Sequence, residues 1–227
     1  MNEITQNLVV LLVLAAIAGG IFLFVRRRQA RNEGQLRQMA AEKGWDYQSL
    51  REPLAWGTRF TTPAWTIEAL SRSHGPESGP GSSNIAMTTI WRADRPGTTL
   101  LIGPRARAAG IGPIGEALVR KVMEVALGDE AGGVTEVVAG SDRFRQSYAV
   151  WARDAGQASA VVDPEVEAAL LAWRGEKPVI KRTSAGLAIE LRGVRLKQRE
   201  DIEALVALGQ LLLQRGGGAA ARPNFEL

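Results

Sequence analysis

Apolar positions dominate the start of the chain and then thin into short periodic runs. Leu8 to Val25 carries no charge, and thirteen of its eighteen residues are Leu, Ile, Val or Phe. A helix of that length rises about 27 Å, which matches the hydrocarbon core of a bilayer. The run lacks the polar stripe of a soluble surface helix. Arg26, Arg27, Arg28 and Arg31 follow it, whereas residues 1–7 hold one acid, Glu3, and no Lys or Arg. That order is the reverse of a cleaved signal peptide, although Ala16-Ile17-Ala18 has cleavage-site spacing inside the run. The pattern predicts a single transmembrane helix oriented by the four arginines, N-terminus outside and the following domain cytoplasmic, at the cell membrane. Ala15/Gly19 and Ala16/Gly20 form small-x-x-x-small pairs that would let a second copy approach as a homodimer.

Beyond residue 31 the periods shorten. Residues 33–43 read as a short helix with Leu36, Met39 and Ala40 on one face and Gly44 as its cap. Trp45-Asp46-Tyr47 opens an extended segment. Trp65–Ser71, Ile85–Trp91 and Thr98–Ile102 read as strands, the last two joined by the turn Asp94-Arg95-Pro96-Gly97. Residues 73–84 are a Gly/Pro/Ser loop. A helix follows over Pro113–Leu127, with Gly128 as its stop. Val134–Ala139 and Tyr148–Arg153 are further strands. Asp163-Pro164 opens a helix that Gly175 closes, with Val166, Ala169, Leu170 and Trp173 on its buried stripe. Val179–Arg182 and Leu187–Leu191 form a hairpin. The last helix, 198–214, buries Ile202, Leu205, Val206, Gly209, Leu212 and Leu213. Residues 216–227 read as a disordered tail.

Strands and helices do not alternate strictly, which favours an antiparallel sheet packed with helices, an α+β domain. The order helix, hairpin, helix occurs at 33–127 and again at 163–214, which is compatible with two similar halves, although no residue-level repeat accompanies it. The domain organisation is therefore 1–31 anchor and basic segment, 32–215 α+β domain, and 216–227 tail.

Charge changes this picture only at the membrane end. The chain of 227 residues has 28 Lys and Arg against 24 Asp and Glu, a net +4. Residues 1–31 hold four Arg and one Glu, which leaves 24 and 23 for the remainder, or +1. The soluble part thus has no general pull on nucleic acid, while arginines near anionic lipid are favoured. The chain has no Cys, which excludes disulfides and thiol catalysis.

Candidate chemistry is sparse. Gly110-Ile111-Gly112-Pro113-Ile114-Gly115 matches G-x-G-x-x-G before a helix, with Arg105 and Arg107 beside it, so Gly110, Gly112, Gly115 and the two arginines are candidate phosphate-binding residues. Against a dinucleotide fold, seven residues separate the motif from its strand and Glu136 falls within a strand. The other reading is a loop capped by Gly112. The only histidine, His74, lies in the Gly/Pro/Ser loop, and no zinc ligand set accompanies it. Glu165, Glu167, Glu190, Glu200, Asp201 and Glu203 sit mainly in first helical turns, where they complement the helix dipole. Arg192, Arg195, Lys197 and Arg199 form a basic run that reads as a solvated face or as a contact for lipid or an acidic partner. Five tryptophans, Trp45, Trp65, Trp91, Trp151 and Trp173, fall on apolar faces or element ends and read as core.

Gly44-Trp45-Asp46-Tyr47, Ser141-Asp142-Arg143-Phe144, Tyr148–Asp154, Asp163-Pro164 with Leu170-Leu171, and Gly186–Ile189 together resemble an uncharacterised family of bacterial membrane-anchored proteins. The resemblance spans about residues 36–213. It implies an N-terminal hydrophobic anchor and carries over no site residue. The expectation is a membrane-anchored binding or scaffold module without catalytic residues, metal or cofactor, with the lipid bilayer and a protein as partners. The alternative is a small-ligand or nucleotide-binding enzyme using Gly110–Gly115.

Overall fold

The computed structural model describes residues 3–73, 85–105, 121 and 123–215. Its first element is one continuous helix, α1 (Glu3–Lys43), of 41 residues. It stops in a Schellman motif. Gly44 adopts φ +68°, its N–H donates to Ala41 O at 3.3 Å, and Trp45 N–H donates to Ala40 O at 2.8 Å. Leu36, Met39 and Ala40 in the last turns are buried against the sheet.

This helix corrects the expected anchor. The transmembrane span over 8–25 and the separate helix at 33–43 are one element, and among the described residues no helix is long and apolar enough to cross a membrane. Within 8–25 the described side chains are Ile17, Gly19, Gly20, Ile21, Leu23 and Phe24, after which the same helix carries Arg26, Arg27, Arg28, Arg31, Glu33 and Arg37. The charge continues along the helix instead of ending it.

Among the described residues nine strands follow: β1 (Asp46–Arg51), β2 (Ala55–Thr61), β3 (Thr66–Ser73), β4 (Ile85–Ala93), β5 (Leu100–Pro104), β6 (Thr135–Val137), β7 (Tyr148–Ala152), β8 (Val179–Thr183) and β9 (Gly186–Arg192). They form one sheet in the order β1-β2-β3-β4-β9-β8-β5-β7-β6, with every pairing antiparallel. The α+β domain also contains the helices α2 (Asp142–Ser147), α3 (Ala155–Val161), α4 (Pro164–Leu171) and α5 (Arg199–Arg215), and residues 123–127 are helical, while the rest of the helix expected over 113–127 lies almost wholly outside the described residues. Ser141, Asp154 and Asp163 cap the three short helices through side-chain oxygens that accept backbone N–H groups.

The topology overturns two further expectations. The turn at Asp94–Gly97 does not join a hairpin, because β4 pairs with β3 and β9 while β5 lies between β8 and β7. Nor do two similar halves sit side by side. The β8–β9 hairpin, from the second expected half, is inserted between β4 and β5 of the first. The closing helix behaves as expected, except that Leu208 is buried and Leu213 only half-buried. Gly175, at φ +82°, lies beyond the end of α4 instead of capping it.

One register row crosses the whole sheet. Tyr47, Phe60, Ile67, Trp91, Ile189, Ile180, Ile102, Val150 and Val137 are successive cross-strand partners from β1 to β6. Most are fully buried, and each large apolar side chain so placed stabilises the fold by about 1.5–3 kcal/mol. Side chains alternate between faces, so this row defines the helix-covered face. On it α5 crosses close to Trp91, since a Cβ at Gly209 would lie 2.4 Å from Trp91 Cε2. The opposite face carries the Arg59–Glu68 and Lys181–Glu190 ion pairs. Near β5 and β7 that face is covered instead by a smaller cluster of Leu101, Leu127 and Val134.

Candidate functional site

The row beside the apolar one is polar at the β1–β4 end. Ser49, Thr58, Ala69, Thr89 and Leu191 are its successive partners. Thr89 is fully buried and fully used. Its hydroxyl donates to Val194 O at 3.0 Å and accepts from Leu196 N–H at 2.9 Å. Gly193 N–H donates to Met87 O at 2.9 Å. These bonds pin the connection from β9 to α5 across the sheet face and fix Arg195 between its anchored neighbours.

Arg195 thereby faces α1. A cleft of about 430 Å³ separates that connection, the α1 helix and strands β1–β2. Arg26, Arg51, Arg195 and Lys197 contribute its cations, and Glu33 its one carboxylate. Glu33 accepts from Arg51 at 3.3 Å. Thr58 lines the cleft at 3% exposure, and its hydroxyl has no hydrogen-bond partner. The Nε of half-buried Arg195 is likewise buried and unpaired. Burial lowers the Arg195 pKa, while Glu33 and Tyr47 pull it upward. The guanidinium stays charged, because arginine starts far above neutral pH. Burial raises the Tyr47 phenol, and Glu33 adds to the rise.

A second hollow, of about 470 Å³, lies between α1 and the start of α5, with Arg28, Gln35, Lys197 and Arg199 in its wall. Arg199 donates to Glu42 at 2.8 Å and to Glu203 at 3.2 Å, which ties the end of α1 to the first turn of α5. The bond from Arg199, and then that from Gln38, hold Glu42 below the usual carboxylate range. The fold therefore gathers two basic runs distant in sequence. Arg26 and Arg28 of α1 meet Arg195, Lys197 and Arg199 around one helix. Arg192 leaves the group and pairs with Glu190 at 2.9 Å.

The glycine-loop candidates fare differently. Arg105 is bound within the fold: Nε donates to Arg145 O at 2.6 Å and Nη2 to Glu136 at 2.5 Å. It ties the end of β5 to β6 and α2. Arg107, Gly110, Gly112, Gly115 and His74 lie outside the described residues, as do the side chains of Ala15 and Ala16. A Cβ added at Gly19 or Gly20 would meet nothing within 4 Å. Of the acids, Asp163 caps α4, Glu165 pairs with Arg215, Glu167 accepts from Ser141, and Glu190 pairs with Lys181 at 3.2 Å.

A third hollow, of about 720 Å³, is mainly apolar and runs between the end of α4 and α5, past Trp173, Leu196 and Leu211. Sequence reasoning did not single out Thr58 or this cleft. The available signal was the alternation Trp56, Thr58, Phe60, which places a hydroxyl between two aromatic side chains on one face of the strand. No family model matches the chain, and neither the curated proteins nor the solved structures contain a match.

Proposed function

We propose that the chain is a non-enzymatic binding module held at an anionic lipid surface, on the cytoplasmic leaflet, by α1. The carrying observation is the juxtaposition on that helix. Ile17, Ile21, Leu23 and Phe24 are 54–67% exposed, and exposed Arg26, Arg27, Arg28 and Arg31 follow immediately. Apolar side chains enter the acyl boundary while arginines remain among the phosphates. Each arginine at an anionic surface contributes about 1 kcal/mol, so the four supply about 4 kcal/mol. The far end of α1 is fixed to the domain by buried Leu36 and Met39 and by the Glu42–Arg199 pair with α5. Lipid contact at one end therefore positions the α+β domain at the other. The nucleotide-binding alternative has no comparable support, since Arg105 is already engaged by Glu136 and Arg145.

The test is flotation of the full chain with vesicles of phosphatidylcholine, alone or mixed with phosphatidylserine. Binding should require the anionic lipid and weaken as salt shortens the screening length. Replacing Arg26, Arg27, Arg28 and Arg31 with Gln should reduce flotation on anionic vesicles to the level seen on neutral ones. Equal flotation of parent and variant on both kinds of vesicle would overturn the reading.

A further inference from the structure

We propose that the cleft between α1, β1–β2 and the β9–α5 connection is a binding site for a phosphomonoester, with Arg195 and Thr58 as its ligand-contacting residues. The site stands on observations separate from the exposed apolar end of α1.

Its donors lack partners of their own. Buried polar groups are almost always hydrogen-bonded, and an exception asks for a cause. Here two exceptions, Thr58 Oγ1 and Arg195 Nε, belong to residues lining one cleft. Thr89, in the same register row as Thr58, has both its hydrogen-bonding functions met by the protein. The contrast isolates Thr58 as the hydroxyl left for something else.

The charge selects the ligand. Four cations against Glu33 leave an excess of three positive charges at the cleft. Glu33 is bonded by Arg51 and acts on Arg195 through its charge alone, so among the described residues Arg195, Arg26 and Lys197 are the lining cations without a hydrogen bond or ion pair of their own. A phosphomonoester brings close to two negative charges and several acceptor oxygens. A guanidinium fork matches two of those oxygens, and a hydroxyl and an ammonium suit the others. A monocarboxylate would meet less of the charge and fewer of the donors. The volume of about 430 Å³ lies within the ordinary range for small-molecule sites, about 300–1,000 Å³. The phosphate could be carried by a soluble metabolite or by a lipid headgroup, and the chemistry at Arg195 is the same.

Calorimetric titration of the full chain with inorganic phosphate and with glycerol 3-phosphate, using acetate as comparison, tests the site. Saturable binding of the phosphates, with acetate at least about tenfold weaker, is expected. Arg195→Gln should weaken phosphate binding by about tenfold, and Thr58→Val by about fivefold. Arg195→Lys should recover part of the loss, and Arg143→Gln, an exposed change on α2, should have no effect. Circular dichroism should match the parent for each variant used. A parallel flotation arm compares vesicles containing phosphatidic acid with vesicles containing phosphatidylserine. Arg195-dependent preference for phosphatidic acid would assign the phosphate to a lipid, and Arg195-dependent binding of glycerol 3-phosphate to a soluble ligand. Replacing Arg27 and Arg31, which do not line this cleft, should reduce flotation and leave phosphate titration intact, so the lipid reading and this one fail separately. The proposal falls if neither soluble phosphate nor phosphatidic acid binds in an Arg195-dependent way, or if a folded Arg195→Gln protein binds as the parent does.

Discussion

Arg182 of β8 donates from Nη2 to the carbonyl oxygen of Leu212 in α5 at 2.6 Å. The carbonyl is among the last four of that helix, which have no partner within it. Arg182 is only 3% exposed, and the 94–97 turn lies against it at Gly97, where a Cβ would lie 2.5 Å from Arg182 Cδ. Burial lowers its pKa and Arg95 adds to the effect, yet a guanidinium remains charged. A buried cation thus caps a helix C-terminus, where it complements the dipole. Arg182→Met should leave the Leu212 carbonyl without this donor and destabilise the fold by about 1–3 kcal/mol in urea denaturation. An unchanged or higher midpoint would show that removing the buried charge outweighs losing the cap.

Gly209 sets how closely α5 approaches the sheet. Gly209→Ala gains about 1 kcal/mol of helix propensity. Overpacking against a core costs about 1–3 kcal/mol, and the 2.4 Å approach to the rigid, fully buried Trp91 ring puts this case at the upper end. A net loss of about 2 kcal/mol is expected in thermal unfolding. A stabilised variant would mean that α5 can slide off Trp91 without penalty.

Tyr148 should make the protein sensitive to alkali. Its hydroxyl donates to Leu170 O at 3.2 Å, and burial pushes its pKa up to about 12 from the ordinary 10.0. The folded state therefore holds this proton more tightly than the unfolded state. Its contribution is complete below pH 10 and is lost as pH rises to about 12. Tyr47 shifts in the same direction. Stability measured against pH should fall across that window, with tyrosinate absorbance rising as the chain unfolds. Tyr148→Phe should flatten the fall, and an unaltered slope would assign it to other groups.

Glu130 gives the opposite limb. Its carboxylate accepts from Ser184 Oγ at 2.6 Å, Ser184 N–H at 3.0 Å and Thr99 Oγ1 at 2.7 Å. Chiefly the Ser184 hydroxyl, then Thr99, hold it below its ordinary 4.5. A depressed folded pKa means stability is present above the unfolded value and lost as pH falls through the folded one. Glu130→Gln should shallow the acid limb of the stability profile and loosen the β8–β9 turn in hydrogen exchange. An acid limb identical to the parent's would place the sensitivity elsewhere, for example at Glu167.

Much of the strand and helix content can be read from local pattern, while pairing cannot. The β8–β9 hairpin and α5 announce themselves through alternation and helical spacing. β2 escaped, because Pro53 and Gly57 flank and interrupt it. Gly57 is required by neighbours distant in sequence, as a Cβ there would sit 2.0 Å from Ala69 O. The short helices α2 and α3 carried cap signals at Ser141 and Asp154, but too few residues to show a period. The cleft was illegible for a different reason. Arg26 and Arg195 are neighbours only because β9 lies beside β4, and no local signal states that adjacency. The apparent anchor was read from eighteen residues in isolation, whereas they belong to a 41-residue helix that carries its charges onward, and among the described residues no helix is long and apolar enough to cross a membrane.

The insertion of β8–β9 fixes the order in which the chain can complete itself. Until residue 192 has been synthesised, β4 and β5 each present a strand edge with no neighbour. The β1–β4 meander, built from contacts close in sequence, can form early, but its open edge then waits for about a hundred residues to emerge. Such an edge is a template for pairing with another chain. The hairpin acts as a keystone that seals two open edges at once and joins the early and late parts of the sheet. A chain interrupted before residue 179 would lack that seal, leaving two adhesive borders instead of one finished domain.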